Sequence, residues 1–292
     1  MSEVCVVGSV NLDLSLSVET LPRPGETVLA SSLKSAPGGK GGNQAVAAAR
    51  AGARVQFVGA VGDDVAAGQL RAHLESNGVR LDGIVETPGP SGTAVVVVDG
   101  NAENTIVVAP GANGRLTVSD PAVRTVIAEC DVLLTQLEIP VQTATAAAQQ
   151  AHSAGAVVVV NASPAGQDPD SLRELAAAAD VVITNEDEAS EWHWRPTHLV
   201  VTLGAHGARY AGADGEYTVP SPAVTPVDTT GAGDVFAGVL AANWPANPGS
   251  PEQRRRALQR ACAAGALATL VPGGGDCAPD AAAIDTALED AR

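Results

Sequence analysis

The sequence predicts an α/β fold: a central, mostly parallel sheet flanked by helices on both faces, with a small β-sheet lid. Three observations lead there. Short Val-rich runs recur along the chain, Ala-rich helical stretches separate them, and two regions break this rhythm with a period of two. Apolar strands without polar alternation are buried on both faces, and helices between them supply the crossovers of a parallel sheet.

The elements follow in order. Residues 4–7 open the sheet. Residues 12–18 alternate Leu and Val with Asp and Ser, as a half-exposed strand does. Residues 44–51 read as helix, 55–58 as strand and 68–77 as helix. Residues 93–99 and 105–108 flank Gly100-Asn101-Ala102-Glu103 and read as a hairpin. With residues 12–18 they would form a small antiparallel sheet, a lid of segments about 12–35 and 92–109 that excludes water from a reaction beneath it. Residues 132–134, 157–160, 181–184 and 199–202 continue the main sheet, with helices at 141–154 and 171–179 between them. A helix at 235–242 and a surface loop at 245–251 precede the last long helix. No internal repeat or low-complexity linker divides the chain, so residues 1–292 read as one unit.

Composition removes several function classes. Apolar residues make up 45% of 292 residues, enough for a substantial core, and aromatics only 2%. Stacking platforms for bases are therefore scarce. A net charge of −16 opposes a polyanion partner, so no nucleic acid is expected. A small anion such as ATP remains compatible, because backbone dipoles and Mg²⁺ oppose the global field locally. Arg254-Arg255-Arg256 reads as a solvated helix face. Cys5, Cys130, Cys262 and Cys277 lie far apart, and buried reduced thiols are the default. The five histidines have no metal-ligand spacing. The N-terminus enters a strand with no leader pattern, and no apolar run reaches membrane-spanning length, so a cytoplasmic protein with no membrane partner is expected.

The chemistry concentrates at Asp228-Thr229-Thr230-Gly231-Ala232-Gly233-Asp234, which leads into the helix at 235–242. Glycines let the backbone bend sharply, and a helix start presents free N–H groups and a positive dipole end to phosphate. A carboxylate at that mouth, Asp234, is placed to take a proton from an attacking hydroxyl while the amides hold phosphoryl charge. This reads as a kinase of a small alcohol. A second Gly-rich stretch, Pro37 to Gln44, lacks the spacer and the Ser or Thr of a Walker A loop. It is either a flexible loop before a helix or a polyol-binding turn with Lys40 and Asn43 as donors and acceptors.

Asn11 and Asp13 face one way from an extended segment and suit vicinal hydroxyls, or serve turns and caps. Glu138 follows the strand ending near residue 137, where α/β sheets place ligands. Asn185-Glu186-Asp187-Glu188 either complements a helix dipole or holds Mg²⁺ through water. Thr202-Leu203-Gly204-Ala205-His206-Gly207 is a strand-to-turn Gly-x-x-Gly, by itself a weak nucleotide signal.

Together these stretches resemble the ribokinase-like (PfkB) carbohydrate kinase family nearly end to end. The resemblance rests on Gly8 to Asp13, Pro24 to Val28, Gly38 to Ala48, Gln136-Leu137-Glu138, Asn185-Glu186 and Val227 to Asp234. It implies a nine-stranded type of α/β sheet, a lid that serves as a homodimer interface, and ATP with Mg²⁺. It implies phosphorylation of D-ribose at its 5-hydroxyl, with kinases of adenosine or fructose-type sugars, or a non-catalytic sugar sensor, as alternatives. The N-terminal half, which holds the lid segments, has Phe57 as its one aromatic, and that favours a free sugar over a nucleoside.

Carried over by position, Asn11, Asp13, Gly39, Lys40, Asn43 and Glu138 would contact the sugar. Asp234 would be the base, and Gly231, Ala232 and Gly233 the anion hole. Asn185, Thr202, Gly204, Gly207 and Gly233 would meet ATP, and Glu188 would act on Mg²⁺ through water. A monovalent activator, K⁺, would sit at Asp228, Thr230, Ala268, Val271, Gly273 and Cys277. Two departures stand out. Cys277 occupies a position where the family often has Ser, and thiol sulfur suits a hard cation poorly. The segment 191–200 is shorter than the family's helix there.

Overall fold

The computed structural model describes residues 2–101, 103–246 and 249–290. Ala102, in the predicted hairpin turn, and residues 247–248, in the predicted loop, lie outside the described residues.

Among the described residues the main sheet has nine strands, and its parallel core is built from the Val-rich runs. β1 (Glu3–Val7) pairs in parallel with β4 (Arg54–Val61) and β8 (Val132–Gln136), and β4 pairs with β5 (Val79–Glu86). β9 (Val157–Asn161), β10 (Val181–Asn185) and β11 (His198–Thr202) continue beyond β8, all parallel. β12 (Ala208–Gly212) and β13 (Gly215–Val219) finish that edge as an antiparallel hairpin. The strand order is β13-β12-β11-β10-β9-β8-β1-β4-β5. It reverses beside β1, and in open sheets ligands bind outside the strand C-termini at such a reversal.

Alternation along β1 divides the core into two layers. Val4 and Val6 face α1 (Lys40–Arg50), α2 (Val65–Ser76), α7 (Ala232–Asn243) and α8 (Pro251–Ala268). Cys5 and Val7 face α3 (Pro121–Ala128), α4 (Val141–Ser153) and α5 (Pro169–Ala178). Each layer is closed by small residues: α4 alone buries Ala144, Ala147, Ala148 and Ala151. Asp64, Asp120, Asp168 and Ser250 cap helix starts through their side chains. α6 (Glu186–Glu191) is short, and α9 (Ala281–Asp290) packs through Ile284 beside α8. Phe57 is wholly buried in the main core, so the one aromatic of the N-terminal half is absent from the lid. No helix of the described residues is long and apolar enough to cross a membrane.

The lid is a four-stranded sheet, β2 (Asn11–Ser17), β3 (Ser32–Gly38), β6 (Gly92–Val98) and β7 (Asn104–Ala109), in the order β3-β2-β6-β7. Its outer pairs are antiparallel, whereas β2 and β6 run parallel, so the sheet is mixed rather than wholly antiparallel. β2 and β6 each leave the main sheet toward the same side, which forces them to run together.

Two expectations from the sequence are corrected. Helix α1 begins at Lys40, not near Gln44. Gly41 and Gly42 are helical because α1 lies against the Ser9 backbone, where a Cβ at Gly41 would stand 2.7 Å from the Ser9 carbonyl oxygen. The arginine run is a solvated face only in part, since Arg255 and Arg256 are exposed. Arg254 is buried, and the Arg255 guanidinium lies 4.2 Å from the Tyr217 ring centre. The helical period turns Arg254 inward with Ala257, Leu258 and Ala261.

Candidate active site

The sugar-side candidates converge at the C-terminal ends of β1 and β8. Ser9 is buried and donates its hydroxyl to Glu138 Oε2 at 2.6 Å. The Lys40 amide donates to the same oxygen at 3.2 Å. Asn11, the first residue of β2, is buried and accepts from Asn113 Nδ2 at 2.8 Å. Asn113 also clasps the Val10 backbone in both directions, at 3.1 Å each way. Neither Ser9 nor Asn113 stands out in the sequence, since each acts only by holding another residue in place.

Asp13 lies two residues beyond Asn11, on the same lid face. Its buried Oδ1 has no hydrogen-bond partner among the described residues. Burial, then the charges of Glu138 and Asp234, push its pKa up to about 7. A buried acceptor that lacks a donor is what a ligand hydroxyl would complete. Because the folded value exceeds the ordinary one, the folded protein holds an extra proton between roughly pH 4 and pH 7, and stability rises as pH falls through that window. Asp13→Asn is therefore expected to raise unfolding stability at pH 8 by about 2 kcal/mol and to flatten the pH dependence. Identical urea midpoints at pH 8 for the two proteins would contradict this.

Gly39 caps α1 at φ 87°, a conformation that favours glycine, and turns the chain from β3 into Lys40, the first residue of α1. Burial works against the Lys40 charge, but Asp234, Glu138 and Glu188 outweigh it and hold the pKa above its ordinary value. One cation thus faces three carboxylates from three parts of the chain. Asn43 and Gln44, in the next turn of α1, both reach Asp234. Asn43 Nδ2 donates to Asp234 Oδ2, and Gln44 Nε2 donates to Asp234 Oδ1, each at 3.0 Å. Gln44 is wholly buried, and sequence reasoning gave it no role. Its signal was its place immediately after Asn43.

Asp234 sits in the first turn of α7, which follows Gly231 at φ 78°. No side chain caps that helix. The Ala232 amide donates to the Thr229 carbonyl at 3.3 Å, so of the three predicted anion-hole residues it is engaged within the chain. The amides of Gly233 and Asp234 have no protein acceptor among the described residues, and Gly233 is exposed. A positive helix start with two open amides therefore borders a buried carboxylate.

The nucleotide-side candidates lie at the ends of β10 and β11. Asn185 and Glu188 form a capping box: the Glu188 amide donates to Asn185 Oδ1 at 2.7 Å, and the Asn185 amide donates to Glu188 Oε2 at 2.8 Å. The capping role is thus real, and Glu188 is also near enough to Lys40 to favour its charge. Thr202 donates its hydroxyl to the Thr184 carbonyl at 3.2 Å. Gly204 opens the turn that follows, with free space where a Cβ would stand, whereas Gly207 is packed against the end of β13. Residues 192–197, after α6, form no helix.

The cation-loop candidates also gather. Asp228 accepts from the amides of Thr230 and Gly273, both at 2.9 Å. Burial raises its pKa, but these amides overcome that and hold it low. The Asp228 and Val227 amides reach Thr269, which with Ala268 and Val271 forms the turn after α8. Cys277 is buried and donates its thiol to the carbonyls of Gly274 at 3.4 Å and Thr230 at 3.8 Å. Burial is the first cause that pushes this thiol up to about 11. A neutral thiol turned toward Thr230 uses an oxygen that a hard cation would otherwise take.

Comparison with known proteins supplies the remaining findings. Residues 1–281 match the pfkB family of carbohydrate kinases. The chain is 39% identical over 254 residues to ribokinase of Bacillus subtilis (strain 168), covering 82% of this chain and 85% of that protein. It is 33% identical over 264 residues to deoxyribokinase of Salmonella typhi, covering 82% of this chain and 84% of that one. Among solved structures, ribokinase of Arabidopsis thaliana complexed with ribose and ATP superposes with a TM-score of 0.87 at 28% identity, over 99% of both chains. Ribokinase of Thermotoga maritima gives 0.88 at 28% identity, over 99% of this chain and 100% of that one.

Proposed function

Because this chain belongs to the pfkB family of carbohydrate kinases, we propose that it transfers the γ-phosphoryl group of ATP to the 5-hydroxyl of D-ribose, giving ribose 5-phosphate. The observation that carries this reading is Asp234 held between Asn43 and Gln44 beside two open helix amides. The ribokinase relatives, and the solved one with ribose and ATP, support the choice of sugar and nucleotide.

Asn11, Asp13, Gly39, Lys40, Asn43 and Glu138 would hold the sugar, with a ribose hydroxyl donating to the orphaned Asp13 Oδ1. Asp234 would take the 5-hydroxyl proton as its oxygen attacks phosphorus. The Gly233 amide, with Gly231 shaping the turn and Ala232 bracing it, would face the charge on the transferring group. Positioning and charge stabilisation then supply most of the acceleration, as a loose transition state requires. Asn185, Thr202, Gly204 and Gly207 would line the ATP side.

Mg²⁺ bound with ATP neutralises charge on the phosphates. Among the described residues no group of three His, Cys, Asp or Glu side chains is arranged to hold a metal ion. The ion would therefore be held mainly by phosphate and water, with Glu188 acting through water. The oxygens of Asp228, Thr230, Ala268, Val271 and Gly273 suit K⁺, and the Cys277 thiol weakens that set. The four free thiols fit a reducing cytoplasm.

An ADP-release assay with ribose, 2-deoxyribose, fructose and adenosine, run in K⁺ and in Na⁺, tests the reading. Ribose is expected to give kcat/KM at least about tenfold above each of the others, with higher turnover in K⁺. A higher value for another substrate would replace the proposed one. Ribose binding without ADP release would favour a sensor.

The lid registers support a homodimer through that sheet. Asn11 and Asp13 share one face of the lid, while Leu14, Leu16, Leu33, Val95, Val97 and Val107 share the opposite one. Leu33 is 64% and Val107 63% exposed, an apolar patch that suits a second copy. Light scattering is expected to report a dimer for the natural chain and a monomer for Val107→Glu. A dimeric Val107→Glu protein would place the interface elsewhere.

A further inference from the structure

Two thiols meet at the end of the sheet remote from the kinase site. Cys5, on β1, is wholly buried in the layer that holds Ile127 and Leu133. Cys130 occupies the turn between α3 and β8, packs on that same layer and is part exposed. The Cys130 thiol donates to the Ile127 carbonyl oxygen at 3.2 Å, and Cys5 and Cys130 lie close enough for each thiol to shift the titration of the other. The two segments are clamped beside them: the Asp131 amide donates to the Glu3 carbonyl at 2.8 Å, and the Glu3 amide donates to Asp131 Oδ2 at 2.9 Å. A cavity of about 180 Å³, lined by Glu3, Gln56, Arg80, Glu129 and Cys130, brings solvent to the outer thiol. Gln56 Oε1 is buried and lacks a partner among the described residues.

We propose that Cys130 and Cys5 form a peroxide-oxidisable dithiol, with Cys130 the attacking sulfur and Cys5 the resolving one. The Cys130 sulfur attacks one oxygen of hydrogen peroxide, the O–O bond breaks, and Cys130 sulfenic acid and water form. Cys5 then attacks the oxidised sulfur, the S–O bond breaks, and a second water leaves as the disulfide closes. Two thiols lose two electrons and two protons, and one peroxide becomes two waters.

Three features single out this pair. Cys130 is reached from a cavity, and Cys5 lies in the apolar layer on which Cys130 packs. The interaction with Cys5 also holds the Cys130 thiol below its ordinary range against the effect of burial. Burial instead pushes Cys262 up to about 12 and Cys277 up to about 11. The catalytic candidates stand at the C-terminal ends of the strands, whereas Cys130 precedes the first residue of β8. A Cys130→Ser protein should therefore keep turnover within about twofold.

The full-length reduced chain is exposed to a few equivalents of hydrogen peroxide, denatured, alkylated and weighed. The expected result is loss of two alkylatable thiols out of four, with a Cys5–Cys130 peptide recovered and the thiols restored by dithiothreitol. Cys5→Ser should leave Cys130 as a sulfenic acid captured by dimedone. Cys130→Ser should keep its other thiols under the same exposure. Four alkylatable thiols after peroxide, or a disulfide that joins other cysteines, would overturn the proposal.

Discussion

Asp234→Asn is expected to lower kcat about 10³-fold while leaving ribose affinity within a fewfold of the natural chain. Both Asp234 oxygens accept hydrogen bonds, from Asn43 and Gln44. An asparagine keeps the shape and accepts from one of them. Its amide nitrogen then faces the other donor, a mismatch worth about 1 kcal/mol of stability and too small to unfold the chain. What is lost is the capacity to take a proton from the alcohol at neutral pH. The open amides at the start of α7 remain, so a residual rate above the uncatalysed one should persist. ADP release at saturating ribose, with sugar binding followed by calorimetry, separates the two effects. A kcat within about tenfold of the natural chain would remove Asp234 as the base.

Arg254→Ala is expected to cost about 3 kcal/mol of stability and to leave turnover at 20 °C almost unchanged. Arg254 donates to both oxygens of Asp214 at 2.6 Å, and the two side chains are only 10% and 8% exposed. Asp214 in turn accepts from the Tyr210 hydroxyl at 3.3 Å, and that oxygen lies 2.7 Å from His198 Nδ1. The network ties α8 to the antiparallel edge of the sheet. Truncating Arg254 strands a buried carboxylate that had been held low by the guanidinium. Asp214→Asn in the same chain should recover more than half of the loss, which a simple cavity would not allow. Urea midpoints for the single and double variants decide it, and a loss below about 1 kcal/mol for Arg254→Ala would show the pair to be dispensable.

The parallel core was legible because its strands are buried on both faces and read as unbroken Val runs. The edges were harder. β5 carries Arg80, Asp82 and Glu86 among its apolar residues, and β12 and β13 are partly exposed, so none shows a clean run. The parallel β2–β6 seam of the lid joins residues far apart in the chain, which local patterning does not encode. Gly41 and Gly42 read as loop because glycine disfavours helices in isolation. Close packing on Ser9 overrides that preference. In the site, the Gly-rich turn and its carboxylate were visible as motifs, and comparison with known carbohydrate kinases confirmed the family they indicate. Gln44, Ser9 and Asn113 escaped notice because their partners, Asp234, Glu138 and Asn11, are distant in sequence. Arg254 was misread for a related reason: its partner Asp214 lies on another element, and a triplet of arginines looks alike until the helix is turned.

Helices α1 and α7 cross so closely that a Cβ on Gly238 would overlap the Gln44 carbonyl oxygen. Asp234 and its two amide partners therefore belong to one stiff block, whereas Asn11 and Asp13 ride on a strand of the lid. On the proposed reading, the lid would grip the sugar through Asn11 and Asp13 and the block through Lys40, Asn43 and Glu138, whereas the base would belong to the block alone. A lid loosened by heat or by substitution should leak substrate without blunting the base, and the chain could diverge toward another pentose along β2 while its acid–base chemistry stays intact.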